Sequence, residues 1–388
     1  MTSIRFLHSA DWQLGMTRRF LGAESQAVYT ADRLAAVAAL GALAVEHGAA
    51  FVTVSGDAFE HNAVPRSVVL RAAEVLASFE VPVYVLPGNH DPLDVSSVFT
   101  CADFSRATAG GRVHVLTDTE PVEVAPGVEL VGVPWTSKRP DPGRLPALLA
   151  GLTPAEGVRV LLAHGGTDEV YGGDAPSVES LPVAMLEAAV ADGRVDFVGL
   201  GDRHSVTAVG STGRVWYPGS PETTAFDDVE TDSGHALLVE LGQGSGTGPG
   251  PCTVTQVDTG RWHFRALAAE LDTEADLEAL TERVEALPDK SRTVVKLALT
   301  GTVGVALKAR VDEAMDRWAQ LFAACYLRES RSELVVRAED TDFSGLVGGY
   351  AARAVEDLVA TAAGEGESAE DAGNALGLLY RLVGAGAR

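Results

Sequence analysis

Five short polar turns hold most of the chemistry this chain can offer. They are "ADWQLG" (10–15), "GDAFE" (56–60), "GNHDP" (88–92), "AHGG" (163–166) and "GDRHS" (201–205), and each follows an apolar run. Together they present Asp11, Gln13, Asp57, Asn89, His90, His164, Asp202 and His204. Asp, Asn and His without Cys form a ligand set suited to ions such as Mn or Fe. A carboxylate shared by two such ions makes a two-metal centre with ions about 3.5–4 Å apart, the geometry of in-line displacement at phosphorus. Gln13 is the odd member, standing where imidazole is the more natural donor. Taken singly, each turn has an ordinary explanation. Asp11 or Asp57 alone reads as a helix N-cap. "GNHD" alone reads as a tight turn, and a lone His164 or His204 as a packed, hydrogen-bonded side chain. Five turns together, all at strand ends, favour the metal site.

Strands must position them. "IRFLH" (4–8), "AAFVTVS" (49–55), "VPVYVLP" (81–87), "VELVGVP" (128–134), "VRVLLAH" (158–164) and "VDFVGLG" (195–201) read as buried strands. Helical spacing from Ala31 to His47, and from Ser67 to Phe79 after Pro65, alternates with the first three. This predicts an α/β fold, a sandwich with partly parallel sheets, in which ligands bind beyond the carboxyl ends of the strands. From about Gly210 the texture changes to "GRVWYPGS", "HALLVEL" and "CTVTQVDT", read as strands, with "GQGSGTGPGP" (242–251) as a hairpin loop. After Arg261 the pattern predicts a helix (273–287), a strand (292–301), a helix (305–322) and a strand (332–338), a small α+β unit. The tail shows helical patterns at 348–364 and 371–384. The expected division is therefore 1–260, 261–340 and 341–388.

Composition sets outer bounds. The chain has 388 residues, of which 46% are apolar and 22% charged, the balance of a soluble globular protein. No apolar stretch reads as long enough to cross a bilayer, and "MTSIRFLHSADW" has no basic segment leading into an apolar one, so neither a membrane nor a signal peptide is expected. Cys101, Cys252 and Cys325 are too scattered for a disulfide framework. A cytoplasmic location is the expectation. The net charge of −24 argues against a surface that attracts nucleic acid everywhere. Bound divalent ions lie outside that sum, and a partner subunit can supply basic surface. His8 sits on the first strand, behind the ligands, while His47, His61, His114, His235 and His263 fall outside the five turns.

In order over residues 4–222, "FLHSADWQLG", "VSGDAFE", "LPGNHDP", "LLAHGG", "GLGDRH" and "WYPGSPE" resemble the calcineurin-like metallophosphoesterases. Within that superfamily the chain resembles the nuclease (D) subunits of the bacterial SbcCD DNA-repair exonucleases. The segment from Trp262 to about Arg337 is similar in texture to their DNA-gripping capping domain. The resemblance implies that Asp11, Asp57 and His204 hold one metal, and that Asp57, Asn89 and His164 hold the other, with Asp57 bridging. It implies that His90 is the catalytic histidine, with Asp91 to orient it. Gln13 and Asp202 depart from the family, replacing imidazole with oxygen donors and shifting the set toward Mn²⁺ or Mg²⁺. The implied protein is a metal-dependent DNA nuclease and a homodimer. Its tail (Tyr350, Val355, Leu358, Val359, Leu376, Leu379, Leu382) either docks on an SbcC-type coiled-coil ATPase or covers the core. Two other functions compete: a phosphodiesterase for small nucleotides, and a DNA-end clamp that cuts nothing.

Overall fold

Side chains alternate faces along a strand, and the runs 52–55, 83–86, 158–164 and 197–201 are buried on both faces. The computed structural model describes residues 3–139, 141–170, 180–244, 249–337, 350–364, 366, 368–369, 371–376 and 379. In chain order the first elements are β1 (Ser3–Ser9), α1 (Ala23–Glu46), β2 (Val52–Ser55), α2 (Arg66–Ala77), β3 (Val83–Leu86), α3 (Ala102–Ala107) and β4 (Val113–Val115). Then come β5 (Val122–Ala125), β6 (Val128–Gly132), α4 (Arg144–Gly151), β7 (Val158–His164), α5 (Val183–Ala191) and β8 (Phe197–Gly201). β9 (Val206–Val209), β10 (Val215–Pro218), β11 (His235–Gly242) and β12 (Cys252–Asp258) follow. The described chain divides into two compact units, one up to Arg19 together with Gln26–Trp262, the other Phe20–Ser25 with the residues from His263 onward.

The first unit holds two six-stranded sheets, ordered β12-β11-β1-β2-β3-β4 and β5-β6-β7-β8-β10-β9. β1 to β4 run parallel in one, and β6, β7, β8 and β10 in the other, with antiparallel strands outside them. Along β7, Val158, Val160 and Leu162 join Phe6, Phe51 and Phe197 in a core between the sheets. Leu161 and Ala163 instead pack with Leu145 and Leu186 of α4 and α5. A third cluster joins Val52, Val54, Val83 and Val85 to Val37, Leu40 and Leu76 of α1 and α2. The layering is helix, sheet, sheet, helix, an α/β sandwich with mixed sheets as the sequence pattern predicts. By the same parity His164 falls on the inter-sheet side of β7, where the two sets of strand ends meet.

Several expectations need correction. α1 begins at Ala23, eight residues before the periodic stretch, and it is long and apolar enough by composition to cross a membrane. Its apolar stripe is instead consumed inside the unit, where Val37, Leu40 and Ala44 pack in the core, and Asp32 and Arg33 are buried beside them. The 242–251 loop lies partly outside the described residues (245–248). β4, β5 and β9 escaped the sequence reading because they are short, partly exposed edge strands without the continuous apolar run of the buried ones.

The second unit contains β13 (His263–Glu270), α6 (Glu274–Glu285), β14 (Thr293–Gly304), α7 (Val305–Leu321), β15 (Ala324–Leu327), β16 (Glu333–Arg337) and α8 (Tyr350–Ala362). Its sheet is parallel throughout, with β13, β15 and β16 all pairing β14. Thr273 and Asp276 close a reciprocal capping box on α6. β13 went unread because Ala-rich "ALAAE" carries weak strand propensity. Of the tail residues, Val355, Leu358, Val359, Leu376 and Leu379 pack around Val305 of α7 within this unit, while Leu382 lies outside the described residues.

Leu162 is fully buried between the sheets. Leu162→Ala should lower the unfolding free energy by about 2–5 kcal/mol, read from urea denaturation.

Candidate metal centre

β1 and β2 end side by side, and the turns that follow stay hydrogen-bonded to each other. Asp11 N donates to Gly56 O (3.0 Å), Gln13 N to Asp57 O (2.9 Å) and Leu14 N to Ala58 O (3.0 Å). Keeping that pairing while turning side chains into the crevice requires left-handed backbone at Asp11 (φ 54°), Gln13 (φ 49°) and Asp57 (φ 55°). Asp202 (φ 95°) does the same from the end of β8; among the described non-glycine residues, only Asp289 (φ 34°) shares this conformation elsewhere. Each such residue costs about 1 kcal/mol or more, and strain of this kind gathers at functional sites. The glycines ahead of the ligands answer to space. A Cβ on Gly56 would lie 2.2 Å from His164 Nδ1, and one on Gly88 would lie 2.2 Å from Asp57 Oδ1.

All eight residues expected from the five turns come together. Ligand atoms of Asp11, Asp57 and His164 lie within 4.8 Å of one another, a grouping able to hold a metal ion. Around them, His164 Nε2 is 2.8 Å from Asn89 Oδ1, 3.4 Å from Asp57 Oδ1 and 4.0 Å from Asp202 Oδ1. His204 Nε2 is 3.9 Å from Asp11 Oδ1, and His90 Nε2 is 3.9 Å from Asp57 Oδ2. The Asp202 amide donates to both Asp11 oxygens (3.0 and 3.1 Å), and the His90 amide donates to Asp57 Oδ1 (2.9 Å).

Each histidine has its other nitrogen fixed. His164 Nδ1 donates to Ser55 O (2.7 Å) and His90 Nδ1 to Glu60 O (2.8 Å). A carbonyl can only accept, so Nδ1 carries hydrogen in both and Nε2 is the atom that titrates or ligates. For His204, the Thr224 hydroxyl donates to Glu230 Oε2 and accepts from His204 Nδ1 (2.5 Å). The result is again Nε2 toward the carboxylates, with a buried carboxylate behind the imidazole.

Electrostatics fit a cation. Burial, with Asp57 and Asp202 alongside, pushes the Asp11 carboxyl up to about 7 in spite of His204 and His164. Burial works to lower His164, but Asp57, Asp11 and Asp202 outweigh it and raise the imidazole to about 9. Gln13 Nε2 donates to Asp57 Oδ2 (3.1 Å), whereas its Oε1 is buried with no hydrogen-bond partner. An acceptor oxygen left bare among carboxylates is what a divalent ion would satisfy, and the oxygen-rich donor set matches hard ions.

Asp91 is placed differently from expectation. Its two oxygens accept from Phe59 N (3.0 Å) and Gly88 N (2.8 Å), so it ties the second and third turns together, while Glu60 O orients His90. Burial, reinforced by Asp57, pushes its carboxyl up to about 7 against those two donors. The sequence reading missed Thr224, Glu230 and Trp135. Trp135 Nε1 donates to His164 O (2.8 Å), and its position just past the end of β6 was the available signal.

Comparison with known proteins gives one family match. The calcineurin-like phosphoesterase family model matches residues 4–228. No curated protein matches the chain. Among solved structures, the protein TT1561 of Thermus thermophilus aligns with a TM-score of 0.39 at 14% identity, covering 61% of this chain and 94% of its own. A 5′-nucleotidase precursor from the same organism aligns with a TM-score of 0.39 at 13% identity, covering 66% of this chain and 55% of its own.

Two outcomes are expected from this geometry. Asp11 near 7 and His164 near 9 must both lose their protons to ligate, so metal affinity should rise with pH through this range. Calorimetry in buffers of different ionisation enthalpy should count about one to two protons released per chain at pH 7. Glu230→Ala removes the carboxylate behind His204 and should weaken metal binding about 10–100-fold, measured by competition with a chelator dye.

Proposed function

The chain belongs to the calcineurin-like phosphoesterases, and we propose that within that family it is a two-metal phosphodiesterase acting on DNA near its ends. Phosphoester hydrolysis at a divalent-metal centre is the chemistry of the family. One observation carries the reading: His90, its Nδ1 pinned by Glu60 O, holds Nε2 3.9 Å from Asp57 Oδ2 at the edge of a buried carboxylate cluster. The order of the turns and the separate α/β unit after Trp262 support the nuclease branch.

Asp11, Asp57 and His204 would hold one ion, and Asp57, Asn89 and His164 the other, with Gln13 and Asp202 adding oxygens. Bound divalent ions supply charge stabilisation on the phosphate and activation of the attacking water. The protein does the rest. Asp57 is gripped by the His90 amide and the Gln13 side chain, which would fix it as the ligand shared by both groups. His164 and His204 are held in the ligating tautomer by Ser55 O and by Thr224. His90 presents Nε2 on the open side, where the ring, with hydrogen on both nitrogens, would pass a proton to the departing oxygen or stabilise charge on the phosphate. The proposal extends to Mn as the preferred ion with Mg or Fe as substitutes, a homodimer, an SbcC-type ATPase partner and the cytoplasm. A second reading, hydrolysis of small nucleotide diesters, is favoured by the net charge of −24, which repels a long polyanion.

Mn²⁺-dependent digestion of end-labelled single-stranded and duplex DNA tests the choice. The wild type should release label, and His90→Asn should lose about 10²–10⁴-fold in rate at unchanged metal content. Two bound metals without digestion would transfer the assignment to small diesters. Absence of both metal and digestion would leave the end-clamp.

A further inference from the structure

The turn 88–92, which carries Asn89 and His90, leaves β3 in the first sheet, whereas His164 ends β7 in the second. Yet His164 Nε2 and Asn89 Oδ1 stand 2.8 Å apart. A ligand pair drawn from two sheets keeps such a spacing only where the strand ends that carry it are tied together, since a shift of about 0.5 Å spoils a site. Asp91 anchors the turn to Phe59 N, which follows β2, and so holds it only within the first sheet.

Trp135 supplies the tie to the second. It follows Gly132, the last residue of β6, and β6 pairs β7. Its amide donates to Pro87 O (3.1 Å), and its carbonyl accepts from Leu93 N (2.8 Å). Pro87 and Leu93 flank the turn, so one residue closes its neck. The indole Nε1 donates to His164 O (2.8 Å), and the ring stands edge-on to the imidazole with centroids 6.2 Å apart. One residue therefore holds both the turn that carries Asn89 and the strand end that carries His164. The opposite group of ligands rests on other supports. Thr224 and Glu230 stand behind His204, and Arg33 donates to Trp12 O in the turn that carries Asp11.

We infer that Trp135 is a positioning residue for the ion that Asn89 and His164 would hold, and that the two ions are set by separate supports. The inference rests on the two-metal phosphoesterase reading above and deepens it. Any residue but proline can make both backbone bonds at position 135, so the specific contribution of tryptophan is its bond to His164 O. Indole is a donor only. It can fix the carbonyl of a ligand without offering a lone pair that would compete for the ion.

The test is titration of the full-length protein with Mn²⁺, with free ion counted by electron paramagnetic resonance. The wild type should bind two ions. Trp135→Phe keeps a ring and both backbone bonds but removes the donor. It should weaken one binding step about tenfold, the step that Asn89→Ala also weakens, and leave the other unchanged. Combined with Asn89→Ala it should cost less than the sum of the two changes, whereas with Glu230→Ala the costs should add. Leu93→Pro opens the neck of the turn from its other side by deleting the Leu93 N–H, and should weaken the same step. Unchanged binding in Trp135→Phe, or equal weakening of both steps, would overturn the positioning role while leaving the two-metal reading intact. A wild type that binds fewer than two ions would overturn that reading, and the inference with it.

Discussion

Like charges buried together govern this structure. Asp11 and Asp57 are almost completely shielded from water, and Asp202 stands beside them. Carboxylates brought this close out of water repel one another and lose their hydration, so each must be compensated. Part of the compensation is local: backbone amides of His90 and Asp202 donate into the cluster, and His164 and His204 face it. These contacts leave Asp11 with a strongly raised pKa, so the protein alone does not fully stabilise the ionised cluster. A divalent ion would do so, and its binding energy would add to the stability of the folded state. The two sheets, the glycines and the left-handed turns are the means by which carboxylates from separate strands reach one point.

Holding the turns in place calls for rigidity that adds no charge to the crevice. Arg33 provides it from behind. Its Nη1 donates to Trp12 O (2.8 Å) and its Nη2 to Thr223 O (3.1 Å), joining the turn that carries Asp11 and Gln13 to the turn that carries Thr224. Its partners there are carbonyls, so it ties the loops without cancelling a ligand carboxylate. Thr224 then fixes His204 through Glu230. Ligands from both sheets are thus linked by a chain of hydrogen bonds that runs outside the cluster.

Much of this arrangement was legible because it is local. Apolar runs such as 158–164 and 195–201 identify buried strands, and strand ends fix where the following polar residues point. Ligand identity follows from residue type at those ends. The supports Glu230 and Arg33 were not legible, since they meet the site only through tertiary folding. Asp91 shows how adjacency misleads. It follows His90 in sequence and so suggests itself as the orienting group, but the turn directs it inward to Phe59 N and Gly88 N. β13 and the first turns of α1 were missed for a different reason: packing settles their conformation where propensity and periodicity are weak.

Gln13 answers the question that the first turn raises. In a decayed site its amide would have no reason to remain buried in strained backbone, because an unpartnered buried acceptor costs about 1–3 kcal/mol and the left-handed turn adds to that. Gln13 nevertheless keeps φ at 49°, lies 2% exposed and leaves Oε1 bare. Its other end explains what glutamine accomplishes that histidine would not. Nε2 donates to Asp57 Oδ2 at 3.1 Å, so one side chain both stabilises the charge on the central carboxylate and turns an oxygen lone pair toward the crevice. A neutral imidazole has one donor and one acceptor on a rigid ring, and it cannot bend to serve two such close neighbours. A divalent cation placed against Oε1 would offset these costs at Gln13.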